Sequence, residues 1–172
     1  MSYNNCGYRK CIKWISSGDK KQYTTTITAD PSASSLDQSI AKITNLFKRL
    51  LSTEVTVLPR HFFPYLSSLS TITYIPRFTH RGMGVETKVA FGVAEASELL
   101  ALLFTDFQLP GGVVSVIFES RLLSSTQLFA TMKITLQMQS TISRVIYLTG
   151  NWHIENLGTQ LQIDSLQITD KI

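Results

Sequence analysis

The chain has 172 residues, of which 44% are hydrophobic and 16% are charged, and its formal net charge at pH 7 is +4. This composition excludes wholesale disorder, because the apolar content is ample for a core, and the length indicates a single domain. The longest apolar run, Leu99–Phe104, is far shorter than the roughly 20 residues of a transmembrane helix. Met1–Lys13 is polar and basic, unlike a signal peptide, so we expect any membrane contact to be peripheral.

Positive and negative charges are separated along the chain. Residues 1–88 contain twelve Lys/Arg and five Asp/Glu, a balance of +7, whereas residues 89–172 contain four and seven, a balance of −3. Such a separation favours anionic partners and head-to-tail attraction between copies. An ordinary solvated surface with an uneven distribution of charge would give the same counts, and this alternative stays open. We divide the chain into a short basic segment, residues 1–21, and one globular domain, residues 22–172.

Two short strands and one helix are predicted in the first third of the chain. Arg9–Ile15 and Gln22–Ala29 resemble strands around a polar turn. A helix is expected from Leu36 to Leu51, where apolar residues recur at helical spacing. Ser35 and Gln38 have the spacing of a capping box at its start.

The next segment is rich in aromatic residues and flanked by prolines. Pro64 lacks a backbone N–H, which excludes a long helix, whereas Pro59 suits the first turn of a short one. Ser70–Ile75 is predicted as a strand, and Arg77–Gly84 as a basic, glycine-containing loop.

A strand and a helix are predicted next. Residues 85–93 alternate between apolar and polar, which indicates a half-buried strand, and Ala94–Phe107 has helical spacing. Val113–Phe118 and Gln127–Gln139 are predicted strands, the second with a strict apolar row from Leu128 to Met138.

The C-terminal part contains a bulge and a closing strand. Thr141–Thr149 is ambiguous, and Gly150-Asn151 is interpreted as a turn. The apolar phase changes within Gln160–Ile168, which predicts a bulge at Asp164-Ser165. The predicted fold class is α+β, with a twisted antiparallel sheet of about five strands packed against two helices.

Catalytic and metal-binding patterns are not expected. His61, His80 and His153 share no metal-ligand spacing, and Cys6 and Cys11 have no second pair nearby, so we expect no metal and no cofactor. This cysteine usage also favours a reduced, cytosolic protein. The few carboxylates are scattered, and we therefore interpret the chain as a non-enzyme.

Basic residues with interleaved aromatic residues occur in the first half of the chain. They could follow phosphates while rings stack on bases, although Phe62, Phe63 and Trp14 fit a core equally well. The candidate residues for contact with a membrane or a nucleocapsid are Lys10, Lys13, Lys20, Lys21, Lys48, Arg49, Arg77 and Arg81.

The order of elements resembles the globular domain of rhabdovirus matrix proteins, most of all the short cytorhabdovirus type of plants. The resemblance depends on the Pro-flanked segment Pro59–Leu66, the alternating strand Leu128–Met138, and an ending in which Trp152–Asn156 precedes Leu161–Leu166 with its Asp-Ser pair. It covers roughly Tyr23–Ile168 by pattern and element order.

The resemblance implies a structural virion protein that polymerises beneath the envelope. Its partners would be further copies of itself, the viral nucleoprotein–RNA complex, an anionic membrane surface and the envelope glycoprotein tail. Its location would be the virion, the host cytoplasm and the cytoplasmic face of membranes. Phe62, Phe63 and Tyr65 are candidates for self-association. Animal members of the family carry a long basic arm with a Pro-Tyr late-budding motif, which the short Met1–Gly7 does not offer, so recruitment through that motif is not expected.

Two alternatives stay open. The first is a small α+β pocket protein, in which Phe62, Phe63 and the row Leu128–Met138 line an apolar ligand cavity. The second is an accessory protein that binds single-stranded RNA.

Overall fold

The computed structural model describes residues 34–76 and 86–171. Two α-helices and six strands occur in these ranges, with a 3-10 helix at Pro59–Tyr65 and a short one at Asn156–Gly158. The helices are α1 (Ser35–Ser52) and α2 (Gly92–Phe107), and the strands are β1 (Thr71–Ile75), β2 (Lys88–Phe91), β3 (Val113–Leu122), β4 (Gln127–Met138), β5 (Thr141–Glu155) and β6 (Gln160–Lys171).

The α+β prediction is confirmed, and the sheet contains a sixth strand. The strands lie in the order β2-β1-β6-β5-β4-β3. All neighbours are antiparallel except β1 and β6, which are parallel with Thr71 beside Ser165. The predicted sheet was antiparallel throughout, because local alternation does not reveal how strands distant in the chain pair.

Helix α1 forms where its apolar spacing predicted it, although its cap differs from the prediction. The side chain of Ser34, rather than Ser35, accepts a hydrogen bond from the Asp37 backbone N–H at 3.1 Å. The apolar stripe of the helix, from Leu36 to Leu51, is buried against the sheet. At about 1.5–3 kcal/mol for each large apolar side chain, this burial stabilises the helix far more than its cap does.

The alternation in β4 sets which face of the sheet is buried. Leu128, Met132 and Ile134 are almost wholly inaccessible to solvent, whereas the residues between them are half exposed. The same alternation continues in β3, so one face of the sheet joins the core over its full width.

Aromatic side chains fill the space between the helices and the sheet. Phe104 of α2 meets Phe47 of α1 at 4.9 Å between ring centroids and Phe62 at 5.1 Å, both edge to face. Phe62 is only 1% exposed and belongs to this cluster, so the structure gives it a place in the core rather than on a self-association surface. The apolar row of β4 from Leu128 to Leu136 is likewise packed into the core, where the pocket alternative had placed a cavity wall.

The turn interpretation of Gly150-Asn151 is wrong, because β5 continues through these residues as one long strand. The pairing shifts between Asn151 and Trp152, which confirms the predicted bulge: Asn151 lies beside Ser165 and Trp152 beside Ile163, so that Asp164 is the extra residue. Gly150 is required here for close approach, since a Cβ would lie 1.9 Å from the Ser165 carbonyl oxygen.

One predicted strand is shorter in the structure, and three predicted elements lie outside the described residues. Strand β2 covers only part of the predicted alternation, because Gly92 turns the chain with a φ of +78° and begins α2. The predicted strands Arg9–Ile15 and Gln22–Ala29 and the whole loop Arg77–Gly84 lie outside the described residues. Neither helix in the described ranges has both the length and the apolar character needed to cross a membrane.

Candidate functional site: the uncovered face of the sheet

Within residues 34–76 and 86–171, one face of the sheet is covered by neither α-helix, and we call it the uncovered face. The helices and the 3-10 helix Pro59–Tyr65 share a single hydrophobic cluster with the other face. Since side chains alternate along each strand, the odd-numbered residues of β3 and β4 project to the uncovered face, where most are half exposed. This surface carries hydroxyl groups, amides, a few apolar side chains and isolated charges; its central members include Ser115, Ile117, Glu119, Phe129, Thr131, Lys133, Thr135, Thr149 and Gln167.

A shallow depression lies where β1, β6, β5 and β4 cross this face. Its volume is about 440 Å³, and it forms beside Gly150, where the backbone of β6 leaves no room for a Cβ on β5. Its remaining lining residues are Thr73, Phe129, Thr149, Ser165, Leu166 and Gln167. These groups can donate and accept hydrogen bonds and contact an apolar group, but none of them titrates near neutral pH. The arrangement therefore suits binding rather than proton transfer.

Among the described residues, arginine side chains contact aromatic rings at two places on the sheet. The Arg121 guanidinium carbon lies 5.7 Å from the centroid of the Phe129 ring, on the uncovered face. Such a contact contributes about 0.5–1 kcal/mol at an exposed site and orders both side chains. Phe129 thus carries a guanidinium beside its ring where it lines the depression.

An electrostatic cluster joins the end of α2 to the sheet. Arg144 donates to both carboxylate oxygens of Asp170, at 3.1 Å from Nε and 2.9 Å from Nη2. Its Nη1 lies 3.2 Å from the Asp106 carbonyl oxygen and 3.4 Å from the Asp106 carboxylate, and its guanidinium carbon lies 4.8 Å from the Phe107 ring centroid. Arg144 thus pairs with two carboxylates and lies near the negative end of the α2 dipole.

Burial changes the proton affinities in this cluster. Desolvation raises the pKa of the Asp170 carboxyl, while the adjacent Arg144 guanidinium acts in the opposite direction. Desolvation also raises the pKa of the Tyr74 hydroxyl, and the negative charge of Asp170 adds to that effect. Because each charge has a partner within the cluster, we interpret it as a structural clasp.

The two histidines that the structure describes, His61 and His153, do not share a site. His61 Nδ1 accepts a hydrogen bond from the Leu58 backbone N–H at 3.0 Å, which closes the first turn of the 3-10 helix. His153 Nε2 lies 3.1 Å from Glu155 on the sheet, and His80 falls outside the described residues. Within the parts of the chain that the structure describes, no group of three His, Cys, Asp or Glu side chains could hold a metal ion.

Only two of the eight predicted basic contact residues are described. Lys48 and Arg49 lie in the last turns of α1, where Lys48 is half-buried and Arg49 is exposed. The other six, Lys10, Lys13, Lys20, Lys21, Arg77 and Arg81, lie outside the described residues. By sequence, residues 34–76 and 86–171 contain nine Lys/Arg and ten Asp/Glu, a balance of −1, so the basic excess of the chain comes from the remaining segments, whose balance is +5.

The three aromatic candidates for self-association have different environments. Phe62 is in the core, as described above, and Tyr65 is buried, which raises the pKa of its hydroxyl. Phe63 alone is exposed, at 48% of its surface. The segment therefore offers one ring, rather than three, to a partner.

Sequence reasoning did not single out the residues of the uncovered face. The polar half of the β4 alternation was visible in Thr131, Lys133 and Thr135 and is the signal that could have located this face. The contributions of Ser165 and Gln167 were not accessible in this way, because they depend on the parallel pairing of β1 with β6.

Comparisons with known proteins do not assign a family. No family model matches the chain, and no curated protein matches it. One solved structure, described as a calcium/calmodulin dependent protein kinase II association domain from Xanthomonas campestris, is similar with a TM-score of 0.49 and 11% sequence identity, over 86% of this chain and 96% of that chain. At these values the likeness carries no conclusion about partners or activity.

Proposed function

We propose that the protein is a non-enzymatic structural protein of the matrix type, which associates with copies of itself and bridges a nucleoprotein–RNA complex to an anionic membrane surface. Contact with an envelope glycoprotein tail and a position beneath the envelope belong to the same proposal. The observation that carries it is the combination of a broad uncovered sheet face with a basic excess concentrated in residues 1–33 and 77–85.

The uncovered face is large enough for a stable contact. Six strands spaced about 4.8 Å apart give a width of about 24 Å, and ten residues of strand give a length of about 33 Å. The product is about 800 Å², which equals the area that each partner contributes to an interface of standard size. Hydroxyl and amide groups with scattered apolar side chains are also compatible with a surface that is both soluble and adhesive.

The distribution of charge supports anionic partners. Lys and Arg side chains near an anionic membrane contribute about 1 kcal/mol each, so a segment with several of them binds measurably. Residues 1–21 contain five Lys/Arg and one Asp, a balance of +4. Residues 34–76 and 86–171 have a charge balance of −1. We therefore assign the anionic partners to the basic segments, and contacts between copies to the sheet face.

Flotation with liposomes tests the membrane part of the proposal. We expect the full chain to float with vesicles that contain phosphatidylserine at low salt, and to be released at high salt because the attraction is screened. Lys20→Glu/Lys21→Glu should abolish flotation, whereas the matched reversal Lys42→Glu/Arg60→Glu, at two exposed sites of the folded part, should retain it. The proposal would be refuted if the fraction of protein that floats does not depend on salt or lipid charge and is the same for the wild type and both variants.

Sedimentation over a range of protein and salt concentrations tests the self-association. We expect species that grow with protein concentration. If the protein is monomeric at every concentration, the self-association part of the proposal is refuted, and only peripheral binding to the membrane and the nucleoprotein–RNA complex is still proposed.

A further inference from the structure

Exposed apolar side chains gather where the edge strand β2 meets α2. Val89 is 49% exposed, Phe91 62% and Leu102 58%, and Leu69, in the turn before β1, is 81% exposed. Strand β2 is the terminal strand of the described sheet, with β1 as its neighbour there. Four of the ten exposed large apolar side chains in the described residues therefore lie at one corner of the molecule.

Two of these side chains, Val89 and Leu102, border a groove, which we call the β2–α2 groove. It has a volume of about 520 Å³ and is lined by Val89, Ala90, Leu99 and Leu102, with Lys88, Glu95 and Glu98 at its rim. Ala90 and Leu99 are buried and form its floor, whereas Val89 and Leu102 stand beside it. An apolar floor with a rim of two carboxylates and one ammonium favours a ligand that is apolar and basic.

Hydrogen bonds fix the backbone of the turn and the helix start that carry these exposed side chains. Gly92 N–H donates to the Ser70 carbonyl at 2.9 Å, which ties the start of α2 to the turn that carries Leu69. The Ser67 N–H donates to Ser70 Oγ at 2.8 Å within that turn. At the other side, the Phe91 N–H donates to Glu95 Oε1 at 3.1 Å. The exposed side chains are thus presented by a hydrogen-bonded framework.

One segment of this chain has the matching chemistry. Arg9–Ile15 contains three basic residues, Arg9, Lys10 and Lys13, and no acidic residue, together with Ile12, Trp14 and Ile15. Its basic groups complement the carboxylates of the rim, and its apolar side chains match the floor of the groove.

We propose that the β2–α2 groove binds the Arg9–Ile15 segment of a second copy of this chain. The contact joins two unlike surfaces, so it repeats from one copy to the next and generates an open polymer rather than a closed dimer. This inference rests on the self-association proposed above and names one interface that produces it.

Two variants disable the two sides of the contact separately. The groove variant Glu98→Lys/Leu102→Gln reverses a charge of the rim and removes an exposed apolar side chain, with residues that suit a helix. The segment variant is Lys10→Glu/Lys13→Glu. The matched control, Glu54→Lys/Leu123→Gln, makes the same replacements at exposed positions elsewhere in the fold.

Sedimentation of the full chain and a mixing experiment test the proposal. Each variant alone should associate at least about tenfold more weakly than the wild type, and the control should associate like the wild type. An equimolar mixture of the two variants should form a one-to-one complex that grows no further, because only one intact groove and one intact segment remain in each pair.

Other outcomes distinguish this inference from the proposed function. If the groove variant polymerises like the wild type, the groove assignment is overturned while self-association stands. If the wild type is monomeric, a fluorescent peptide of residues 9–15 should still bind the segment variant, whose groove is intact. The peptide should no longer bind when the groove substitutions are added to that variant. If the peptide does not bind the segment variant at all, the groove assignment is overturned. A wild type that stays monomeric while the mixed variants form the one-to-one complex would place the segment in the groove of its own chain and overturn the second-copy contact.

Discussion

The close approach of β5 and β6 at Gly150 makes a quantitative prediction. In Gly150→Ala, the new methyl carbon would lie 1.9 Å from the Ser165 carbonyl oxygen, 2.9 Å from its carbonyl carbon and 3.0 Å from Leu166 Cα. Carbon and carbonyl oxygen ordinarily meet at about 3.3 Å or more, so the distance to the oxygen is too short by more than 1 Å. All three atoms belong to the backbone, and no side-chain rotation relieves the contact.

The cost follows from moving β6 away from β5. A local separation weakens about two ladder hydrogen bonds, at about 1 kcal/mol each, and disturbs the packing of Leu166 and Trp152, at about 1–3 kcal/mol. We therefore expect Gly150→Ala to lower the free energy of unfolding by about 3–5 kcal/mol. Gly111→Ala is the matched control: Gly111 has a φ of +80° and no atom within 4 Å of its added methyl group, so its substitution should cost only about 1 kcal/mol of backbone strain.

Urea titration followed by far-ultraviolet circular dichroism measures both variants. The two losses should differ by at least about 2 kcal/mol, a large part of the 5–15 kcal/mol that stabilises a typical domain. If Gly150→Ala loses no more than Gly111→Ala, the strands separate without cost and the steric reasoning is refuted.

Three further predictions concern the core and the Arg144 clasp. Ser120 Oγ is buried without a hydrogen-bond partner in the described parts of the chain, so Ser120→Ala should raise the free energy of unfolding by about 1 kcal/mol; an unchanged or lower urea midpoint would contradict this. Phe104→Ala removes the ring between Phe47 and Phe62 and should cost about 3–5 kcal/mol in the same assay; a loss below about 1.5 kcal/mol would mean that the cluster repacks. Burial raises the pKa of Asp170 above 3.8, so the folded state binds its proton more tightly than the unfolded chain does. The stability of the wild type relative to Asp170→Asn should then fall as the pH rises from 3.8 through the raised pKa, in urea titrations at several pH values, and a rise would contradict the direction of the shift.

The sequence was sufficient to place elements whose side chains repeat with a clear period. The helices over residues 36–51 and 94–107 and the strand β4 were located to within a few residues, because their apolar rows determine what is buried. The bulge at Asp164 was also predicted, since an extra residue changes the phase of that row.

Other features depend on contacts that local patterns do not encode. Gly150 resembles a turn glycine in the sequence, but it is required for the approach of a neighbouring strand. Phe62 and Phe63 are adjacent and chemically identical, yet the 3-10 helix turns one into the core and the other to the surface. The candidate site was predicted least well, because the uncovered face is assembled from strands whose order is not local.

The parallel pairing of β1 with β6 also has a consequence for biosynthesis. Strand β6 lies between the hairpin of β1 and β2 on one side and β5 on the other, so the two parts of the sheet have no direct link until β6 is inserted. During translation, β1 leaves the ribosome long before its partner does. The edges of β1 and β5 that pair with β6 therefore stay unpaired for most of the synthesis of the chain. We expect the sheet to fold slowly and only after β6 has been made.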